Sequence, residues 1–146
     1  MGLFNSILIV CAGNICRSPM AEYLLKQAVL DKGISVSSAG LTALKGEGAD
    51  KVAQETAARH GLDLSTHISR QINGQMLAEN DLILVMEQRQ LEDLAARYPH
   101  VRGKIFLLGR WLDNAEIFDP YRKSPEAFDR TYDGIERACQ AWIKYL

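Results

Sequence analysis

The sequence predicts a single α/β domain in which a four-stranded, parallel, twisted sheet carries helices on both faces. Short β-branched apolar runs alternate along the chain with segments of helical period. The segments between the apolar runs are long enough to form helices of about ten residues or more, so the strands that they join must run parallel. No repeat and no Pro/Gly/Ser-rich linker divides the chain, so one domain is predicted over residues 1–146.

The first strand and the first helix are the best-marked elements. The run Ile7-Leu8-Ile9-Val10 is typical of a strand that is covered on both faces, and it stops at Cys11. After a short turn, Ser18 is predicted as the N-cap of a helix with Pro19 in its first position. Gly33 is predicted to end that helix.

The later elements continue the alternation of strand and helix. Further strands are predicted over residues 34–38, 81–85 and 104–108. Helices are predicted over residues 49–60, over a segment that Pro99 ends, and from Pro125 onward. In parallel sheets ligands bind beyond the carboxyl ends of the strands, so the chemistry is expected in residues 11–18 and in the loop 109–124.

The composition is that of an ordinary soluble domain. Of the 146 residues, 47% are hydrophobic and 24% charged, and 17 basic side chains against 18 acidic ones give a net charge of −1. A chain of this length can bury a core without metal or disulfide. Since the near-zero charge provides no field for a polyanion and no basic stripe is found, no nucleic-acid partner is expected.

The cysteines and the apolar runs indicate a reducing, cytoplasmic location. Cys11, Cys16 and Cys139 are few and odd in number, and no signal-like or membrane-spanning apolar segment is found, so no stable membrane insertion is expected. The cysteines and the scattered histidines lack the paired spacing of zinc sites, so no metal and no cofactor is expected. Residues 1–6 match the loose N-myristoylation pattern, a modification that only some cells carry out.

The turn after the first strand contains the residues best suited to chemistry. Its sequence, Cys-Ala-Gly-Asn-Ile-Cys-Arg-Ser over residues 11–18, leads into a helix N-terminus, where converging N–H groups and the helix dipole favour an anion. Arg17 supplies a planar fork for two phosphoryl oxygens, and Gly13 lets the backbone come close. The same field favours the thiolate form of Cys11, a nucleophile aimed at phosphorus. A merely structural cysteine is the competing interpretation, and it leaves Arg17 and Ser18 unexplained.

Phosphoryl transfer also needs a proton donor for the displaced oxygen. Asp119 is the best candidate, because it lies in the loop after the fourth strand and Pro120 stiffens that loop. The competing interpretation is a surface Asp-Pro turn. Asp113, Glu116 and Asp129 are the fallback acids.

These residues resemble a known family over nearly the whole chain. Cys-x5-Arg-Ser directly after an apolar strand, with Asp119-Pro120-Tyr121 near the end, closely resembles the low-molecular-weight protein tyrosine phosphatases. The resemblance implies a flavodoxin-like fold of the phosphotyrosine phosphatase I-like type. The stretches 38–44 and 48–50 resemble most the bacterial branch encoded with exopolysaccharide and capsule machinery, whose substrate is an autophosphorylating tyrosine kinase. A monomer or weak homodimer is expected.

The resemblance also implies a role for each matching residue. Cys11 would attack phosphorus and become a phosphocysteine, and Arg17 would hold the equatorial oxygens. Ser18 would hydrogen-bond the sulfur, and Asp119 would protonate the tyrosyl oxygen and then activate water. The residues of the loop around the phosphate would be Ala12, Gly13, Asn14, Ile15 and Cys16.

The resemblance also implies how the loop is supported and protected. Asn14 would adopt a left-handed conformation, which asparagine tolerates better than most residues, held by hydrogen bonds from Ser38 and His67. Cys16 would trap an oxidised nucleophile as a reversible disulfide, although a small residue that packs the loop explains it equally well.

The chain departs from eukaryotic members of the family at the rim. An aromatic residue of those members is replaced by Leu44 or Leu41, and a second tyrosine is replaced by Arg122. Tyr121 can still stack on a phosphotyrosine ring. The charges of Arg122 and Lys123 favour acidic sequence around the target tyrosine.

Three alternatives remain open. A thioredoxin-coupled arsenate reductase needs two further relay cysteines, whereas only Cys139 lies outside the loop, on the apolar stripe of the last helix. A non-catalytic phosphotyrosine- or anion-binding module would lack the nucleophile or the acid. A redox sensor that uses only Cys11 and Cys16 would leave Arg17 and Asp119 without a role.

Overall fold

Four parallel strands form one sheet in the computed structural model, which describes residues 4–146. The strands are β1 (Ser6–Cys11), β2 (Ser35–Gly40), β3 (Leu82–Val85) and β4 (Ile105–Leu107). The predicted parallel sheet is thereby confirmed. The N-myristoylation pattern begins in residues 1–3, which lie outside the described residues.

The strand order β2-β1-β3-β4 determines where the site lies. The chain passes from β1 to β2 on one side and returns to β3 on the other side of β1. Within β1, Ile9 pairs with Ser38 of β2 and with Leu84 of β3. Because the direction of winding reverses beside β1, a crevice opens at the carboxyl end of this strand, where open α/β sheets bind ligands.

The helices lie on both faces of the sheet, as predicted. They are α1 (Arg17–Ala28), α2 (Lys51–Arg59), α3 (Gly74–Glu79), α4 (Gln88–Arg97) and α5 (Pro125–Ile143). Ile7 and Ile9 point into a core shared with α1, α2 and α5, whereas Leu8 and Val10 point into a core shared with α3 and α4. This alternation along β1 explains its uninterrupted apolar sequence.

Two predictions about α1 are wrong. Cys16, not Ser18, occupies the N-cap position, and no side chain caps the helix. Ser18 lies inside the helix because its hydroxyl is used by neighbouring side chains of the turn. The helix ends at Ala28, and Gly33, in the left-handed region at φ 70°, instead ends a short 3₁₀ turn at Leu30–Lys32.

Helix α3 was not predicted from the sequence. This six-residue helix is short and carries one fully buried residue, Leu77, so its apolar period is too weak to read. Its start is nevertheless marked chemically, because Asn73 Oδ1 accepts a hydrogen bond from Met76 N at 2.9 Å. Among the described helices, none combines the length and apolarity needed to cross a membrane.

Candidate active site

The turn after β1 is held so that its carbonyl groups face away from its centre. Four of its carbonyl oxygens accept hydrogen bonds from backbone N–H groups of residues 41–50: Cys11 from Leu41, Ala12 from Thr42, Gly13 from Leu44, and Ile15 from Asp50, at 2.8–3.1 Å. Within residues 4–146, the N–H groups of residues 13–16 have no hydrogen-bond acceptor. The turn is therefore an anion-binding cup of free N–H groups at the start of α1.

The cup depends on the unusual backbone of Asn14. This fully buried residue has φ 59°, in the left-handed region. Its side-chain amide donates to Ser18 Oγ at 2.7 Å and to Ser38 Oγ at 2.9 Å, and its Oδ1 accepts from Arg70 N at 2.9 Å. All the polar atoms of the side chain are thus used to hold a strained conformation.

A second layer of polar side chains holds the Asn14 carbonyl oxygen. His67 Nε2 donates to it at 2.6 Å and Ser69 Oγ at 2.7 Å. On the other side of His67, Nδ1 lies 4.0 Å from Glu22 Oε1. Glu22 also accepts from Ser38 Oγ, and from Lys26 Nζ at 2.9 Å, so one nearly buried carboxylate ties α1 to the support of the cup.

Cys11 places its sulfur beside a hydroxyl group. The residue is 3% exposed, and Sγ lies 2.9 Å from Ser18 Oγ. Because Ser18 Oγ already accepts from Asn14, its hydrogen is available to the sulfur. A hydroxyl that donates to sulfur favours the negatively charged form.

Arg17 is buried and fixed from two sides. Its side chain is 1% exposed; Nη1 donates to Ile117 O at 2.7 Å and lies 3.4 Å from Glu87 Oε2. Nη2 lies 3.8 Å from Asp119 Oδ2. Asp119 itself remains 42% exposed and accepts a hydrogen bond from Tyr121 N at 3.0 Å. The acid therefore sits at the border between the buried guanidinium and solvent.

These residues surround one pocket of about 190 Å³, called here the catalytic pocket. Its floor and walls come from the turn, and its rim comes from Thr42, Leu44, Asp119 and Tyr121. Leu44 is 45% exposed there. Leu41, the other proposed rim residue, does not line the pocket and packs against the core on the α3/α4 face.

The second cysteine of the turn is a different kind of thiol. Burial raises the pKa of Cys16 far above its ordinary range, and the negative charge of Asp50 raises it further. Cys16 is therefore a neutral thiol at neutral pH, while its side chain still lines the catalytic pocket.

The geometry of the cup agrees with what comparison with known proteins shows. The model of the family described as low molecular weight phosphotyrosine protein phosphatase matches residues 6–146. The chain belongs to this family. Its sequence is 48% identical over 143 residues to the low molecular weight protein-tyrosine-phosphatase Etp of Escherichia coli K12, covering 98% of this chain and 95% of the relative.

Solved structures of other phosphatases superimpose closely on this one. The Erwinia amylovora tyrosine phosphatase AmsI has a TM-score of 0.94 at 44% identity, with 99% of this chain and 94% of that chain covered. Vibrio vulnificus Wzb, solved in complex with benzylphosphonate, has a TM-score of 0.93 at 43% identity, with 98% and 99% covered.

Several residues that shape the site of this phosphatase were not predicted from the sequence. They are Glu22, Thr42, Ser69, Arg70 and Glu87. Two of them carry a usable signal: Glu22 follows Ser18 by one helical turn, and Glu87 is the second residue after β3, at the same sheet edge as the cup. The others act from loops on partners far away in sequence.

The fallback acids lie elsewhere in the phosphatase. Asp129 pairs with Arg59, and Glu116 Oε2 accepts from Gln88 N at 2.8 Å. Asp113 occupies a left-handed turn at φ 55°. None of the three lines the catalytic pocket, whereas Asp119 does.

Proposed function

We propose that this chain hydrolyses phosphotyrosine in proteins through a cysteinyl-phosphate intermediate. The observation that carries the proposal is the convergence of Cys11, Arg17 and Asp119 on one pocket above a cup of free N–H groups. The pocket also has an aromatic rim residue, Tyr121, against which a phosphotyrosine ring can stack. Support comes from Vibrio Wzb, which binds benzylphosphonate, an aromatic ring that carries a phosphonate.

In the first step, Cys11 Sγ attacks phosphorus. The sulfur–phosphorus bond forms as the bond between phosphorus and the tyrosyl oxygen breaks, and Asp119 gives its proton to that oxygen. Arg17 and the N–H groups of the cup stabilise the charge on the equatorial oxygens. Ser18, at 2.9 Å from the sulfur, stabilises the thiolate before attack.

In the second step, the Asp119 carboxylate takes a proton from water. The water oxygen attacks phosphorus, the sulfur–phosphorus bond breaks, and inorganic phosphate leaves with the thiolate restored. Ser18 again donates to the leaving sulfur. Asp119 suits both steps because it is partly exposed to water yet lies 3.8 Å from Arg17.

The physiological substrate proposed is an autophosphorylating bacterial tyrosine kinase of exopolysaccharide or capsule production, acting in the cytoplasm. The similarity to Etp, to Wzb and to AmsI supports this assignment. A monomer or weak homodimer suffices, because the pocket is built from one chain.

The test is hydrolysis of p-nitrophenyl phosphate in EDTA from about pH 4.5 to 8. Cys11→Ser should abolish turnover, and Asp119→Ala should lower kcat and remove the fall in activity at higher pH that loss of the acid's proton causes. Asp129→Ala is the matched control, since this carboxylate lies outside the catalytic pocket, and it should leave the profile unchanged. Phosphotyrosine and phosphoserine peptides then test substrate class.

Absence of turnover in the reduced protein would contradict the proposal. Tight phosphotyrosine binding in that case would indicate the non-catalytic module. Arsenate reduction would require Cys139 as a relay, and this residue is fully buried in the core formed by α1, α2 and α5.

A further inference from the structure

A second cavity of about 410 Å³ lies next to the catalytic pocket, between the loop that carries Asp119 and helix α5. Its apolar lining includes Ile117, Pro120 and Ala127. Asp119 lines both cavities, so the two are separated by one side chain. We call it the α5 cavity.

The loop that separates the two cavities is held on both sides. Thr131 Oγ1, on α5, donates to Phe118 O at 3.3 Å, and Arg17 donates to Ile117 O on the side of the catalytic pocket. The backbone of the loop wall is therefore anchored at Ile117 and Phe118. Phe118, 71% exposed, adds apolar surface to its lining.

The acidic and the basic side chains that line the α5 cavity differ in their interactions. Its two carboxylates are engaged: Asp119 faces Arg17, and Glu116 accepts from the Gln88 N–H. Its two cations, Lys123 and Arg130, form no ion pair with any side chain of residues 4–146. The cavity thus offers two exposed cations beside apolar surface, which suits a carboxylate on a short aliphatic stem.

We propose that the α5 cavity binds an acidic side chain of the phosphotyrosine protein itself, about one to three residues from the phosphotyrosine. This inference rests on the proposed function: Asp119 lines both cavities, so the α5 cavity lies next to a phosphotyrosine that fills the catalytic pocket. A carboxylate placed there meets Lys123 and Arg130.

The same geometry assigns different roles to the two neighbouring basic residues of the loop. The guanidinium of Arg122 lies over the Tyr121 ring, 5.2 Å from its centroid, and does not line the α5 cavity. Lys123 does line it. Selection of acidic sequence therefore belongs to Lys123 and Arg130, and Arg122 supports the aromatic rim.

The experiment compares two phosphotyrosine peptides that differ only in Glu or Gln at the three positions on either side of the tyrosine. We expect the parent to prefer the Glu peptide, and Arg130→Gln to lower kcat/KM for that peptide about three- to fivefold, mainly through KM. The Gln peptide and p-nitrophenyl phosphate should not respond, since neither brings a carboxylate to the cavity. Arg137→Gln, an equal charge change on α5 outside the cavity, is the control.

Lys123→Gln provides a second, independent variant on the loop side and should reproduce the selective loss. Equal losses on the Glu and Gln peptides, or no preference of the parent for Glu, would overturn the inference while leaving the proposed function intact. Failure of the parent to hydrolyse either peptide would overturn both.

Discussion

Glu87 and Arg17 form a nearly buried ion pair beside the catalytic pocket. Glu87 Oε2 lies 3.4 Å from Arg17 Nη1, and the two side chains are 11% and 1% exposed. With the Ile117 carbonyl oxygen as a further acceptor, the guanidinium is oriented before any phosphate arrives. Orientation in advance is what makes a charged group effective in stabilising a transition state.

The first prediction concerns this pair. Glu87→Ala leaves the Arg17 charge without its buried partner, so we expect the free energy of unfolding to fall by about 3 kcal/mol and kcat/KM to fall about tenfold or more. Glu87→Gln keeps the shape of the side chain and an acceptor oxygen, so its losses in the free energy of unfolding and in kcat/KM should be smaller. Urea unfolding and p-nitrophenyl phosphate kinetics measure the two effects. Glu92→Ala, on the exposed face of α4, is the control, and a Glu87→Ala enzyme with unchanged kcat/KM would contradict the role.

The second prediction separates the two parts of the role of Asn14. Asn14→Ala loses the amide hydrogen bonds. It also places alanine at φ 59°, a left-handed conformation that costs an L-residue with a Cβ about 1–2 kcal/mol. Asn14→Gly loses the same hydrogen bonds but tolerates the backbone. Both variants should lose activity, and urea unfolding should find the alanine variant less stable than the glycine variant by about 1 kcal/mol. Equal stabilities would show that the cup relaxes away from the left-handed conformation.

The two central strands could be predicted well because they are buried on both faces. Neighbouring side chains of β1 enter opposite cores, so the sequence 7–10 is apolar without interruption, and the same holds for β3. Six-residue α3 was missed because a helix so short shows less than two turns of period. Its position follows from packing against the sheet, which no local pattern records.

The residues proposed for catalysis could be named from the sequence because they share one turn or, like Asp119, belong to a family motif. Cys11, Arg17 and Ser18 share one turn, whereas Arg70 reaches Asn14 across 56 residues. Ser18 shows the limit of local rules: its sequence context predicts an N-cap, and the tertiary contact with the Cys11 sulfur determines its position instead. The contacts of Ser69 and Arg70 with Asn14 depend on the fold, and no local pattern in the sequence indicates them.

The third prediction tests how closely the turn must approach β2. A Cβ added at Gly40 would lie 2.6 Å from Ala12 O and 3.1 Å from the Ala43 backbone, so Gly40→Ala forces the two segments apart. We expect a loss of about 1–3 kcal/mol in the free energy of unfolding, with lower kcat, because the hydrogen bonds that orient the cup span this gap. In Gly48→Ala, the added Cβ has its nearest contact at 3.8 Å, an ordinary separation, and this control should behave like the parent. If the two variants are equally stable and active, close approach at Gly40 is not required.

The fourth prediction concerns alkaline pH. Burial, and secondly the charge of Glu136, raises the pKa of Cys139 from 9.0 to about 12. Between these values the unfolded chain has lost the thiol proton and the folded chain still holds it, so the unfolded state binds fewer protons. The free energy of unfolding therefore falls as pH rises above about 9, by up to about 1.4 kcal/mol per pH unit for this group. Below about pH 9 the stabilising contribution of the protonated Cys139 thiol is fully present.

Cys139→Ala removes this titration while leaving the buried Cys16 thiol in place. Its stability at neutral pH should be lower because a core side chain is shortened, but its slope of unfolding free energy against pH should be shallower between about pH 9 and 11. Urea unfolding at several pH values measures both quantities. A slope identical to that of the parent would mean that Cys139 ionises as readily in the folded protein as in the unfolded chain, which is incompatible with its complete burial beside Glu136.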